Sequence, residues 1–148
     1  MSRLPEQRLW DRFSANMRHR PGLRMERVEN LLAAGFPDVV VMARRTPLSR
    51  GRVAFVELKM VDAPPRRPTT PVLGEKRGLT QEQRNWHWLA EKFGVQTYIL
   101  VGVGSAENYL LDGREADYVN SCDMSHLGAR SSAYLWDDIY KELMGIER

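Results

Sequence analysis

Cysteine is nearly missing from this chain of 148 residues. Cys122 stands alone, which excludes an intrachain disulfide and any zinc site built on thiolates. No apolar run approaches the roughly 18 residues that a membrane-spanning helix requires. The opening stretch, MSRLPEQRLWDRF, has charges where a secretory leader needs an apolar core, so none is expected. With one cysteine, the expected compartment is reducing and cytoplasmic. His19, His87 and His126 show no metal-ligand spacing and read as structural or surface groups. No internal repeat is visible. What remains is ordinary for a globular protein: 43% hydrophobic and 28% charged residues, with four Trp, five Tyr and four Phe. That composition excludes disorder throughout, and the length suits a single domain over 1–148.

Lysine is also scarce. Of 22 basic residues only 4 are Lys, and the rest are Arg. The net charge of +3 is unevenly spread: residues 1–52 carry +6, residues 53–100 carry +2 and residues 101–148 carry −5. Arginine's planar fork suits phosphate oxygens, so the basic first two thirds point to a polyanion partner or to a solvated surface.

The pattern of elements reads as α/β. Leu9, Phe13 and Met17 recur at helical spacing within residues 4–18, and Pro21-Gly22 ends that helix. Residues 24–34 fit either a helix or a short strand. Gly35-Phe36-Pro37-Asp38 is a turn, followed by the β-branched strand 39–43, an Arg-rich loop and a strand at 53–60. Residues 62–78 hold Pro64, Pro65, Pro68 and Pro71 and read as a long irregular loop, which in compact domains is usually functional or mobile. Thr80 and Gln83 form a capping box, opening a helix to about Phe93 with Trp86, Leu89, Ala90 and Phe93 as its buried stripe. Residues 97–103 form an apolar, hence central, strand. Residues 108–111 suggest a further strand, and 132–143 a final helix.

The chemistry concentrates in the hairpin. Glu57 and Lys59 are two apart on a strand and share a face, while Val56, Leu58 and Met60 point the other way. If residues i and j pair so that i + j is constant, placing Asp38 opposite Glu57 centres the turn between Pro47 and Leu48. A symmetric hairpin therefore sets two carboxylates side by side, with Cβ atoms about 5 Å apart. Carboxylates so placed repel unless something lies between them. Mg²⁺, a hard cation that takes oxygen ligands, or Mn²⁺ would offset the repulsion, aided by the Lys59 ammonium. Two acids and a lysine on a sheet are what metal-assisted phosphodiester hydrolysis needs. A cross-strand surface ion cluster is the alternative, but Glu57 sits in an otherwise apolar strand.

These residues, in order, resemble a known family. Gly35-Phe36-Pro37-Asp38, then Glu57-Leu58-Lys59, then Gln83-Arg84-Asn85-Trp86 are similar to the PD-(D/E)XK nuclease superfamily. More narrowly they resemble the small standalone VRR-NUC-type nucleases, many of them encoded by bacterial viruses. The likeness spans roughly residues 24–103, with 104–148 as an acidic extension. It implies a restriction-endonuclease-like mixed sheet flanked by helices. It also implies Asp38, Glu57 and the Leu58 carbonyl as metal ligands, Lys59 as catalytic lysine, and Gln83 positioning water or phosphate. An upstream acid is expected, with Glu29 first and Glu26 and Glu6 behind it. The implied activity is a Mg²⁺- or Mn²⁺-dependent DNA endonuclease leaving a 5′-phosphate and a 3′-hydroxyl. The implied substrate is a branched DNA such as a Holliday junction, which needs two symmetric cuts and hence a homodimer. A flap or nicking nuclease of low specificity fits the same residues, and so does a non-catalytic DNA-binding module on this fold. Arg44, Arg45, Arg66, Arg67, Lys76 and Arg77 are the expected DNA-backbone contacts.

Overall fold

A computed structural model describes residues 5–29 and 34–146. Five strands form one sheet: β1 (Leu23–Arg27), β2 (Val39–Ala43), β3 (Arg52–Val61), β4 (Gln96–Val103) and β5 (Glu107–Asp112), in the order β1-β2-β3-β4-β5. All neighbours are antiparallel except β3 and β4, which run parallel. A parallel pair requires a crossover, and the segment between them supplies it through α2 (Gly74–Arg77) and α3 (Gln81–Lys92). The sheet is thus mixed, as the α/β reading required.

One face is covered by α1 (Pro5–Met17) and α5 (Trp136–Met144). Leu9, Phe13 and Met17 are fully buried against Val56, Leu58 and Leu100. Each such side chain contributes roughly 1.5–3 kcal/mol on removal from water. The fit is close: a Cβ on Gly102 of β4 would lie 2.9 Å from Leu9 Cδ1 and 2.7 Å from an Arg12 nitrogen. The other face is covered by α2, α3, two short 3-10 turns at Gly113–Asp117 and Val119–Ser121, and α4 (Met124–Arg130). There Ile99, Val101, Val103 and Leu111 meet Val72, Leu79, Val119 and Leu127. The acidic last third therefore covers both faces.

Four sequence expectations are settled or changed. Residues 24–34, undecided between helix and strand, give β1 where they are described; residues 30–33 lie outside the described residues. Residues 62–78 are not a free loop. Val72 and Leu73 are buried, and the Val72 N–H donates to the Cys122 carbonyl at 2.8 Å. On α3 the stripe differs as well: Leu89 and Phe93 are 54% and 74% exposed, while His87 is buried. The 3-10 turn at Gly113 and strand β4 press on the His87 side, where His87 Nδ1 meets Thr97 Oγ1 at 2.8 Å. Trp86 packs with Phe36 and Phe55. The last helix begins at Trp136 rather than 132, because Ala133 bridges to Leu110 on the sheet edge.

Candidate active site

Alternation along β3 sorts its side chains. Ala54, Val56, Leu58 and Met60 enter the α1–α5 core, leaving Phe55, Glu57 and Lys59 on the opposite face. The hairpin register matches the symmetric expectation: Val39 pairs with Val56 and Ala43 with Arg52. Asp38, one residue before β2, thereby falls opposite Glu57.

The pair is held from several directions. Asp38 Oδ2 accepts a hydrogen bond from the Leu58 N–H at 2.8 Å. Asp38 Oδ1 lies 3.6 Å from Arg27 Nη1 of β1, a buried nitrogen with no hydrogen-bond partner among the described residues. The Val28 N–H donates to the Asp38 carbonyl, which ties the end of β1 to the same residue. Glu57 is 1% exposed and Lys59 is 8% exposed. Burial above all raises the Glu57 pKa well above the ordinary carboxylate range. The neighbouring Asp38 carboxyl raises it further, while the Lys59 charge and the Leu58 amide act the other way. Asp38 is near enough to influence that proton, yet neither Glu57 oxygen meets hydrogen-bond geometry with any described group.

A buried carboxyl with two unused oxygens is costly in a folded protein. Beside a second carboxylate it suits a hard divalent cation, so the residues present fit the metal that the hairpin pattern implies. Among the described residues, no group of three or more His, Cys, Asp or Glu side chains converges here. The fit rests on two carboxylates.

The start of α3, which carries Gln83, meets the turn before Asp38 through a close approach. Gly35 adopts φ +84° and rests on the first turn of α3, where a Cβ would come within 2.3 Å of the Glu82 carbonyl oxygen. This brings the Asp38 turn against α3, and Phe36 clamps it by packing edge-on to Trp86 with centroids 5.2 Å apart. Gln83 Oε1 is committed to the capping box, accepting from the Thr80 N–H at 2.9 Å. The capping box engages this oxygen and not the amide nitrogen.

The remaining candidates lie elsewhere. Glu29 is exposed just past β1, with no described contact to Asp38 or Glu57. Glu26 pairs with Val40 on the Glu57 face, but its carboxylate is bonded to Arg24 at 2.7 Å. Glu6 sits on α1. Arg45, Arg66, Arg67, Lys76 and Arg77 are exposed. Arg44 turns back on its own loop, donating to the carbonyls of Thr46, Pro47 and Ser49. Sequence reasoning missed Arg27. The signal was the alternation of Met25, Arg27 and Glu29, which, taken as a strand beside β2, sets Arg27 against Val39 and next to Asp38.

No protein-family model and no curated protein matches the sequence. The fold, however, is similar to that of a solved structure. The chain is similar to Archaeoglobus fulgidus Hjc, described as a Holliday junction resolvase from an archaeal hyperthermophile, with a TM-score of 0.55. The fold is restriction-endonuclease-like. The two proteins are 17% identical, and the match covers 93% of this chain and 96% of that one. The likeness therefore runs across the whole architecture and not only through the hairpin. None of the described helices is long and apolar enough to cross a membrane.

Proposed function

We propose that this protein is a divalent-metal-dependent DNA endonuclease, selective for branched DNA in the manner of a Holliday junction resolvase. One observation carries the reading: a buried glutamate with both oxygens unpartnered, set beside a second carboxylate and a lysine on one strand. The whole-chain likeness to the Hjc fold supports it. The motif order favours kinship with small VRR-NUC-type nucleases within the PD-(D/E)XK class.

Asp38, Glu57 and the Leu58 carbonyl would hold Mg²⁺ or Mn²⁺. When bound, such an ion lowers the pKa of a coordinated water and neutralises phosphate charge. The chain's own groups do the rest. The Leu58 amide and Arg27 fix the Asp38 carboxylate in one orientation. Lys59, nearly excluded from solvent, presents its ammonium where charge grows on the phosphoryl oxygens, and a low-dielectric setting strengthens that attraction. The Gln83 amide orients water or a phosphate oxygen. Two copies would make the paired cuts that a four-way junction requires. Glu29, exposed just past β1, remains the first choice for an additional acid.

The test is a cleavage panel of junction, flap, plasmid and single-stranded substrates, with Mg²⁺ or Mn²⁺ and with EDTA. Cutting should need the metal and favour the junction. Asp38→Ala or Lys59→Ala should slow it on the order of 10³-fold, the scale for removing one group that acts on the transition state. Parental rates in either variant would overturn the assignment. Intact DNA binding without any cutting would leave a non-catalytic module.

A further inference from the structure

The β2–β3 hairpin carries the acids at one end and an unusual tip at the other. Leu48 at that tip is 98% exposed, more than any other large apolar residue described. Single exposed leucines are common on protein surfaces. This one stands on a turn fixed from within. The Ser49 N–H donates to the Thr46 carbonyl at 3.1 Å, and Ser49 Oγ donates to that carbonyl at 2.9 Å. Thr46 N–H donates to Ser49 Oγ, and the Leu48 and Ser49 amides both reach Thr46 Oγ1. The Arg44 guanidinium then binds three carbonyls of the same turn. Pro47 adds a fixed φ. Arg45 and Arg50 flank the apex, exposed and with no charged or hydrogen-bonded partner among the described residues.

We propose that the Pro47-Leu48 apex is a wedge that inserts at a base step of DNA while Arg45 and Arg50 hold the phosphates on either side. The idea rests on DNA being the substrate. Leucine and proline are among the side chains that proteins push between bases, at an unstacking cost that new contacts must offset. A turn already locked by its own hydrogen bonds loses little entropy on insertion, whereas a mobile loop would lose much more. The flanking guanidiniums are free to bind because Arg44, and not they, holds the turn together.

The sheet surface beside the tip is open, while nearer the acids Phe36 and Trp86 pack over Phe55. A cleft of about 590 Å³ beside the tip includes Arg24, Met42, Arg44 and Val53. The five residues of β2 separate the turn from Asp38. At strand spacing that is about 17 Å, or about five base-pair steps. The unstacked step should therefore lie at least that far from the scissile phosphate.

The experiment uses the full chain and junctions carrying 2-aminopurine at successive positions. It is run in EDTA so that unstacking is read without cutting, and in parallel with Mn²⁺ so that cutting is read. The parent should raise 2-aminopurine emission several-fold at one position, about five or more steps from the cut. Leu48→Ser, which cannot disturb a core, should abolish that rise and leave the salt dependence of binding unchanged. Arg45→Ala with Arg50→Ala should lower the salt slope by about two. Emission retained in Leu48→Ser, or absent in a parent that cuts the junction, overturns the wedge and leaves the nuclease standing. A Leu48-dependent rise from a parent that never cuts upholds the wedge and removes the nuclease. A parent that neither binds nor cuts removes both.

Discussion

On one face of the sheet, Val56, Leu58 and Met60 of β3 meet Leu9, Phe13 and Ile139 in a dry core. On the other face of the same strand, Phe55, Glu57 and Lys59 alternate with them, and two of those three are ionisable and nearly inaccessible. The backbone is shared and the cover is similar, so the contrast comes from the side chains. The first face is arranged for stability, with complementary apolar surfaces and no unused polar atom on β3. The second gives up stability at Glu57, whose oxygens have no donor. A fold tolerates such a defect when it is the site of function. The division is internal to the second face too: toward Val61, Ile99 and Val103 it returns to an ordinary apolar core.

Three measurements can break or sharpen this contrast. The largest effect belongs to the dry face. Leu58→Ala should destabilise the protein by about 2–5 kcal/mol in chemical denaturation, the range for emptying a buried leucine site. A much smaller loss would mean that the two faces are not so different.

The next effect is on the polar face, away from the acids. Burial lowers His87 from its usual value to about 4, against a smaller opposing influence from Asp112. The folded protein thus keeps His87 neutral while the unfolded chain takes up a proton near the ordinary value of 6.5. Stability contributed by the neutral buried ring is complete above pH 6.5 and is lost as pH falls toward 4, by about 3 kcal/mol in total. Denaturation curves for the parent and His87→Gln across that window check this. The parent's slope should exceed the variant's, and parallel slopes would show that His87 is already charged in the fold.

The smallest effect has the opposite sign. Glu57→Gln should raise metal-free stability by about 1–2 kcal/mol, because it removes a buried ionisable group that has no partner and faces a second carboxylate. The same change should abolish metal-dependent cleavage. A fall in metal-free stability would mean that Glu57 is satisfied after all, and the two faces would then obey one rule.

The hairpin was legible because its information is local. A β-branched run, a polar loop and a second run with one acid are enough to set register, and the observed pairing of Val39 with Val56 follows the same constant sum. The capping box at Thr80 and Gln83 was readable for the same reason. The face of α3 was not. Periodicity marks Trp86, Leu89, Ala90 and Phe93 as apolar without naming the neighbours, and those neighbours cover His87 and leave Leu89 and Phe93 outside. Arg27 stayed hidden because its meaning depends on a strand pairing that residues 24–34 do not announce.

From its residues alone, then, the chain determines its strands from β2 onward, the juxtaposition of Asp38 with Glu57 and Lys59, and the start of the helix that follows. These depend on side-chain alternation, on a hairpin closed by a short loop and on groups a few residues apart, which elementary geometry constrains. Tertiary structure decided the parallel pairing of β3 with β4, the anchoring of 62–78 through Val72 and the approach of Arg27 to Asp38. The first two join segments far apart in the chain, and the third depends on a strand pairing that residues 24–34 leave open. Their proximity is set by the burial of whole surfaces, and no short stretch of sequence encodes it.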